Sequence, residues 1–164
     1  MSAGVFVPGE VHWRLSAFDA LTVHELYALL QLRGEVFVLE QACLFQDLDG
    51  SDSQALHLQG HAGNHLVAYA RCFGPGVKFA QASIGRVVTR GAARGSWLGH
   101  VLIERAVAAI GDHWGCQPIR IGAQARLKEF YQSHGFVDAG VPYVEDGIDH
   151  LEMLWRAQAP DIGK

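Results

Sequence analysis

The stretch that decides the fold is residues 83–114, which read SIGRVVTRGAARGSWLGHVLIERAVAAIGDHW. Its start, Ser83 to Thr89, is rich in β-branched residues and predicts a buried strand. Its end carries an apolar residue at every fourth position, which predicts an amphipathic helix with one core-facing stripe: Leu98, Leu102, Ala106, Ile110 and Trp114. The intervening loop therefore leads from a strand directly into the start of a helix.

This loop contains Gly91, Gly95 and Gly99 together with Arg90 and Arg94. Glycine lets backbone amides approach a bound group closely, and the unpaired amides and dipole of a helix start favour negative charge. The loop thus predicts a site for a phosphate-like group, with a simple tight corner as the alternative. The sequence contains no Gly-Lys-Ser/Thr and no Gly-x-Gly-x-x-Gly, which excludes a P-loop and disfavours a dinucleotide fold.

Composition predicts one globular domain spanning residues 1–164, because 49% of the residues are hydrophobic and 18% are charged. The formal net charge of −4, without a basic run, argues against nucleic acid or an anionic membrane as the main partner. No apolar stretch is long enough for a membrane span. Three scattered cysteines, Cys43, Cys72 and Cys116, predict reduced thiols in a cytoplasmic protein.

The N-terminal part predicts a strand followed by a capped helix. Val11 to Ser16 alternates as a strand does, and Thr22 to Glu25 has the pattern of a capping box. Arg33 lies on the apolar stripe of this helix, where a buried charge needs an anionic partner. The acidic turn from Gln46 to Asp52 lacks the Glu that closes a calcium loop, since Leu58 stands at that position, and a solvated loop is predicted instead.

A hairpin is predicted from Leu56 to Phe73, with its turn at Gly63 and Asn64. Arg71 within its second strand also needs an acidic partner. Three histidines recur at a spacing of four, but glycines interrupt a helix there and no Cys or carboxylate alternates with them: His57, His61 and His65. We therefore expect separate exposed or edge histidines and no metal site.

The C-terminal part predicts a strand from Pro118 to Ala123, a helix from Gln124 to His134 and a closing hairpin that turns at Glu145 to Gly147. Together with residues 83–114 this gives a βαβα run around a parallel strand pair. The predicted fold class is therefore mixed α/β (α+β): a twisted, mostly antiparallel sheet with a central parallel pair and flanking helices.

Two motifs resemble those of the GNAT superfamily of N-acetyltransferases. Arg94 to Gly99 is similar to the Gln/Arg-x-x-Gly-x-Gly/Ala pyrophosphate loop, except that Trp97 replaces the middle glycine. Gln124, Leu127, Tyr131, Gly135 and Phe136 have the spacing of the family's second signature, in the right order along the chain. The segments Leu29 to Gln41, Asp47 to Gly50 and Glu145 to His150 resemble the ElaA-type branch, so that the likeness runs from about Leu26 to Trp155.

The resemblance implies transfer of acetyl from acetyl-CoA to an amine through a direct ternary complex. Backbone amides of the glycine loop would bind the CoA diphosphate, and the strand edge at Val87 to Thr89 would pair with the pantetheine arm. The cofactor-binding residues implied are Val87, Val88, Thr89, Arg94, Gly95, Ser96, Trp97, Leu98, Gly99, Gln124 and Tyr131. Tyr131 is also the expected general acid for the departing thiolate.

The general base stays open between Glu40, Glu35, His57, Glu145 and His150 or a chain of waters, with Glu40 and His150 preferred. Residues that match the branch outside the CoA motifs are expected to shape the acceptor pocket: Arg33, Glu40, Gln41, Asp47 and His150. We expect Glu40 or Asp47 to attract a cationic amine there. We expect a small-molecule or peptide amine as the acceptor, with a small polyamine, an amino-acid derivative, an antibiotic and a protein lysine all open, and exposed strand edges favour a homodimer.

Two other functions are open at this point. One is a module that binds acyl-CoA without turnover, for which the altered loop at Trp97 would be a reason. The other is a metal-binding protein that uses the histidine series. We expect the acetyltransferase, with acetyl-CoA as co-substrate and no metal.

Overall fold

The computed structural model describes residues 10–157 as two antiparallel sheets that meet at one point. The first sheet has the strand order β1-β2-β3-β4, with β1 Val11–Ala17, β2 Leu56–Ala62, β3 His65–Phe73 and β4 Ser83–Thr89. The second has the order β5-β7-β6, with β5 Ile119–Gln124, β6 Phe136–Glu145 and β7 Ile148–Trp155. Residues 1–9 and 158–164, which the single-domain prediction includes, lie outside this range.

Three α-helices accompany the sheets: α1 Val23–Arg33, α2 Leu98–Trp114 and α3 Lys128–Gln132. The predicted capping box of α1 is confirmed, since Glu25 N–H donates to Thr22 Oγ1 at 3.1 Å and Thr22 N–H donates to Glu25 at 2.9 Å. The predicted stripe of α2 is largely confirmed as well. Leu98, Leu102, Ala106 and Ile110 are buried in the main core, and Trp114 packs at its margin.

The helices cover opposite faces of the first sheet. α2 packs over β3 and β4 in the larger core, which also holds Ile119, Phe136 and Met153 of the second sheet. α1 forms a smaller core with Tyr69 and Val88 on the other face. After α1 the chain continues as a π-helical turn, Gly34–Glu40, which brings Glu40 and Gln41 towards the junction of the sheets.

The predicted parallel pair is reduced to one parallel bridge between Ala82 and Ile119. Beyond it β4 and β5 belong to separate sheets. The register between β3 and β4 shifts at Arg86, whose φ of 50° marks a β-bulge. Because a bulge bends its strand, β4 diverges from β5 after the bridge and leaves its outer edge unpaired.

One further difference concerns the C-terminal part. The helix expected from Gln124 to His134 is a short 3-10 turn followed by α3, and the chain leaves it at Gly135 with φ of 89°. The predicted hairpin turn is confirmed at Asp146 and Gly147, which both have positive φ as a type I′ turn requires. None of the described helices is long and apolar enough to cross a membrane.

Candidate active site

A cavity of about 830 Å³ opens where β4 and β5 diverge. Gly85 lies three residues beyond Ala82 and Gly122 lies three residues beyond Ile119, so that two residues without side chains face the widening gap. Most predicted site residues line this cavity: Glu40, Gln41, Val87, Val88, Thr89, Arg94, Gly99, Gln124, Tyr131 and His150. Residues 59 to 110 positions apart in the sequence, such as Glu40 and Gly99 or Glu40 and His150, therefore share one site.

The remaining predicted residues do not line it. Arg33 is fully buried and Asp47 lies behind the cavity wall, which corrects the expectation that both shape the acceptor pocket directly. Gly95, Ser96, Trp97 and Leu98 lie at its rim in the glycine loop, and the side chain of Leu98 points into the core. From these four residues only the backbone, or the exposed Trp97 ring, is available to a ligand.

The glycine loop presents a row of free amide groups at the start of α2. In the part of the chain that the structure describes, the amides of Gly95 to Gly99 have no hydrogen-bond acceptor, whereas His100 and Val101 donate to Trp97 O. The loop is held from behind by Ser96, whose hydroxyl donates to Ala93 O. These consecutive amides, together with the positive end of the α2 dipole, form a cradle that suits an anionic group.

The backbone conformation at Trp97 shows why the motif has a glycine at this position. Its φ is 67°, a left-handed conformation that costs an L residue roughly 1 kcal/mol. The indole ring is 69% exposed and stacks on His100, with 4.1 Å between the ring centroids. The favourable energy of this ring stacking is of the same order as the cost of the left-handed conformation. The backbone of the loop therefore keeps its geometry with a tryptophan at this position.

Tyr131 of α3 lies in the wall of the cavity with 7% of its surface exposed. Phe130 and Phe136 contact its ring edge-on, and none of the described side chains hydrogen-bonds its hydroxyl. Burial raises the pKa of Tyr131 to about 12. The phenol therefore stays protonated at neutral pH and is available as a proton donor.

His150 of β7 is oriented by a backbone contact. Its Nδ1 lies 2.7 Å from Ile148 O, and a carbonyl oxygen only accepts, so Nδ1 of the neutral ring carries the hydrogen. Nε2 is therefore the acceptor nitrogen, and it lies 3.9 Å from the Glu145 carboxylate. An imidazole held in this tautomer in a cavity wall is suited to accept a proton.

The other candidate bases already have partners. Arg94 donates to Glu40 at 2.7 Å, and Arg90 donates to Glu35 at 2.7 Å. His57 is fully buried, with Nε2 donating to Asp52 O at 2.8 Å and Nδ1 accepting from Tyr69 at 2.6 Å. Its burial corrects the expectation of an exposed or edge histidine, and lowers its pKa.

The acidic turn predicted as a solvated loop is largely exposed, but its carboxylates also belong to an ion-pair cluster that is buried at Arg33, Arg71 and Asp52. Its carboxylates, Asp47, Asp49 and Asp52, bind four cations: Arg33, Arg71, Lys78 and Arg86. The anionic partners that we expected for Arg33 and Arg71 are thereby confirmed. Nothing local in the sequence shows that two arginines far along the chain reach this turn.

Acid should destabilise this cluster. The bond from Arg71 lowers the pKa of Asp49, while burial of Asp52 is outweighed by its bonds to Arg33 and Arg71, which lower its pKa as well. An Asp with a lowered pKa contributes stability that is complete above about pH 4, its unfolded value, and is lost as the pH falls through the folded value. We expect the free energy of unfolding, measured with denaturant, to decline below about pH 4.

The matched variants separate this effect from general acid unfolding. Asp49→Asn should flatten the decline, and Asp112→Asn, at an exposed position of α2, should leave it unchanged. Equal slopes in the two variants would contradict the assignment to the cluster.

Sequence reasoning missed two features of the cavity. Tyr143 of β6 stacks on His150 with 5.2 Å between ring centroids, and its hydroxyl occupies the space where a side chain at Gly122 would stand. Arg86, Lys78 and Arg71 together line one end of the cavity. The stacking of Tyr143 on His150 could have been found from the predicted hairpin, because its register places these two residues opposite each other. The grouping of the three cations depends on contacts between distant segments and has no local signal.

Among the described residues no group of three or more His, Cys, Asp or Glu has the geometry of a metal site. His57 is engaged with Tyr69 and Asp52, while His61 and His65 lie at the far end of the same hairpin.

Comparison with known proteins agrees with this geometry. Residues 31–157 match the model of the acetyltransferase (GNAT) domain. Protein ElaA of Escherichia coli is 41% identical over 145 residues, 87% of this chain and 95% of that protein. A crystal structure of an acyl-CoA N-acyltransferase from Pseudomonas aeruginosa is 44% identical, with a TM-score of 0.83 over 89% of this chain and 99% of that one.

The crystal structure of Escherichia coli ElaA superposes equally well, with a TM-score of 0.83 at 40% identity over 89% of this chain and 99% of that one. Splayed sheets with an amide cradle beside the gap define an acyl-CoA N-acyltransferase fold. The chain belongs to the GNAT acetyltransferase family, in its ElaA-type branch. Family membership supports acyl transfer from acyl-CoA in general.

Proposed function

We propose that this protein transfers acetyl from acetyl-CoA to a primary amine by direct attack in a ternary complex. The observation that carries the proposal is the row of free amides from Gly95 to Gly99 at the mouth of the cavity between β4 and β5. Such a cradle binds a diphosphate, and the cavity behind it has room for both a thioester and an amine.

The CoA moiety would extend from the cradle along β4. The amides of Gly95 to Gly99 hold the diphosphate, and the unpaired edge at Val87 to Thr89 pairs with the pantetheine amides as an added strand does. Across the gap, Gln124 donates to Gln41 at 3.2 Å and so fixes the opposite wall. Because β4 is an edge strand, a backbone N–H near its bulge is free to stabilise the thioester oxyanion.

His150 and Tyr131 carry the proton transfers in this proposal. The amine nitrogen attacks the thioester carbonyl carbon, and His150 Nε2 takes up the proton that the amine loses. The C–S bond then breaks, and the Tyr131 hydroxyl donates its proton to the departing thiolate. Glu40 acts in a positioning role, because it holds Arg94 beside Thr89 O at the cavity rim.

Acetyl-CoA should raise the melting temperature of the protein, and Gly95→Glu should abolish the rise. A ligand that binds only the folded state stabilises it by about 2.7 kcal/mol at a hundredfold excess over its Kd. Glutamate at Gly95 places a negative charge in the cradle, at a residue with φ of 80°. The measurement is thermal unfolding with and without acetyl-CoA.

Gly140→Glu is the matched control, since Gly140 has φ of 76° and, like Gly95, no neighbouring atom within 4 Å of an added Cβ. Both variants suffer the same backbone strain, and only Gly95→Glu should lose the response to ligand. No rise in the parent protein would refute the proposal. If acetyl-CoA raised the melting temperature but no amine caused release of the CoA thiol, the protein would be a module that binds acyl-CoA without turnover.

A further inference from the structure

We infer that the acceptor bears a carboxylate as well as its amine, and that this carboxylate binds at the end of the cavity lined by Arg71, Lys78 and Arg86. We call these three residues the cationic end. The inference rests on the proposed function and names the class of acceptor, an amino carboxylate.

The ion-pair cluster has a net charge of plus one. Its four cations, Arg33, Arg71, Lys78 and Arg86, face three carboxylates. Of the seven groups, Arg33 lies deepest and is fully buried, while the cationic end meets the cavity with Asp49 as the only carboxylate of the cluster that lines it. A single excess charge matches the single charge of a carboxylate better than that of a phosphate dianion.

Arg71 has a donor that the protein leaves unused. Its side chain is 3% exposed, and its Nη atoms donate to Asp49 and Asp52 at 2.9 and 3.1 Å for Nη1 and 2.5 Å for Nη2. Its Nε is buried, yet among the described residues it has no hydrogen-bond partner. An unpaired buried N–H is costly and rare, which indicates that an acceptor atom is supplied from outside the chain.

Gly85 keeps the space beside this donor open. An added Cβ at Gly85 would have Arg71 Nε, at 3.9 Å, as its only neighbour within 4 Å. Lys78 and Arg86 are the accessible cations, with side chains 32% and 23% exposed, and Arg71 Nε lies behind them. A carboxylate in the cavity would therefore bind Lys78 and Arg86 directly, and would accept from Arg71 Nε only once these two side chains move aside.

The wall of the cavity also carries negative charge. Glu145 and Asp146 on the turn between β6 and β7 line it next to His150. An ammonium group is favoured there; it loses one proton to solvent to become the nucleophile, and His150 takes the second proton as the C–N bond forms. The cavity thus complements a zwitterion, whereas the second ammonium of a diamine would face Arg71, Lys78 and Arg86.

The test compares kcat/KM for acetyl transfer to a set of amino acids, to the carboxamide of each and to a linear diamine. We expect each accepted amino acid to exceed its carboxamide at least tenfold. Arg86→Gln and, separately, Lys78→Gln should reduce this ratio towards one mainly by slowing the amino acid. Melting temperatures with acetyl-CoA verify that each variant is folded.

Arg120→Gln is the matched control, because the Arg120 side chain is 22% exposed, pairs with Glu152 and does not line the cavity. It should retain the full preference. Acetylation of the diamine or the carboxamides as fast as the amino acids overturns the inference and leaves the proposed function standing. If no amine causes release of the CoA thiol, both the inference and the proposed function are overturned. If Arg86→Gln and Lys78→Gln leave the ratio of amino acid to carboxamide unchanged, the cationic end is not the carboxylate site.

Discussion

Tyr131→Phe is expected to lower kcat for acetyl transfer about a hundredfold, while the affinity for acetyl-CoA is retained. Removal of a positioned general acid typically costs between 10² and 10⁴ in rate, and phenylalanine keeps the ring contacts with Phe130 and Phe136. Because no described side chain bonds the Tyr131 hydroxyl, loss of that oxygen leaves no buried group unpaired. Steady-state kinetics with a CoA-thiol readout measure the effect.

Tyr27→Phe is the control for the loss of a phenol, since Tyr27 is 74% exposed on α1 and lies away from the cavity. It should change kcat by less than a factor of about two. If Tyr131→Phe kept kcat within a factor of three of the parent protein, water or another group would have to protonate the thiolate.

The pH dependence gives an independent test of the same role. Burial raises the pKa of Tyr131 to about 12, and the acid must be protonated to act. Its protonated fraction therefore stays above roughly nine-tenths up to about pH 11, one unit below that pKa. We expect no loss of kcat from Tyr131 on the alkaline side below that pH, in contrast to a phenol with an ordinary pKa near 10.

Arg33→Ala is expected to lower the free energy of unfolding by about 3–5 kcal/mol. Arg33 is fully buried and donates to Asp47 and Asp52, both at 2.8 Å. Removal of the guanidinium leaves these carboxylates short of a partner in a low-dielectric interior and also opens a cavity under Tyr69, over which Arg33 stacks. Urea unfolding monitored by circular dichroism measures the change.

Arg14→Ala is the matched control, because Arg14 also pairs with a carboxylate, that of Glu25, at 2.8 Å. Its side chain is 55% exposed, and exposed ion pairs contribute about 0–1 kcal/mol. A loss at Arg33 no larger than that at Arg14 would show that burial of the cluster does not determine its contribution.

Much of the cofactor side of the site could be predicted from local pattern. Residues 83–114 define a strand, a glycine loop and an amphipathic helix through their own periodicity, and the structure has β4, the loop and α2 there. Tyr131 was identified by its spacing within a motif, and it lies in the cavity wall. Local pattern suffices for these residues because one helix start and its loop build the cradle.

The acceptor side could not be predicted in the same way. Glu40 is expected to attract an amine, and it lines the cavity, but its carboxylate also pairs with Arg94, 54 residues away, which its local sequence does not show. Asp47 was expected in the acceptor pocket, and it binds Arg33 and Arg86 behind the wall. The sequence around a carboxylate does not show whether its charge will be free or paired, because the partner lies on a distant segment of the chain.

The sequence by itself determined the family, the strand–loop–helix unit to which we assign the cofactor in the proposed function, the capping box and the hairpins, since each depends on neighbours within a few residues. Only the tertiary structure decided how β4 and β5 part after Ala82 and Ile119, which tautomer Ile148 imposes on His150, and which charges remain unpaired in the cavity. Those properties depend on distances between segments far apart in the chain. Which charges and hydrogen-bonding groups pair with one another is decided only when these segments pack.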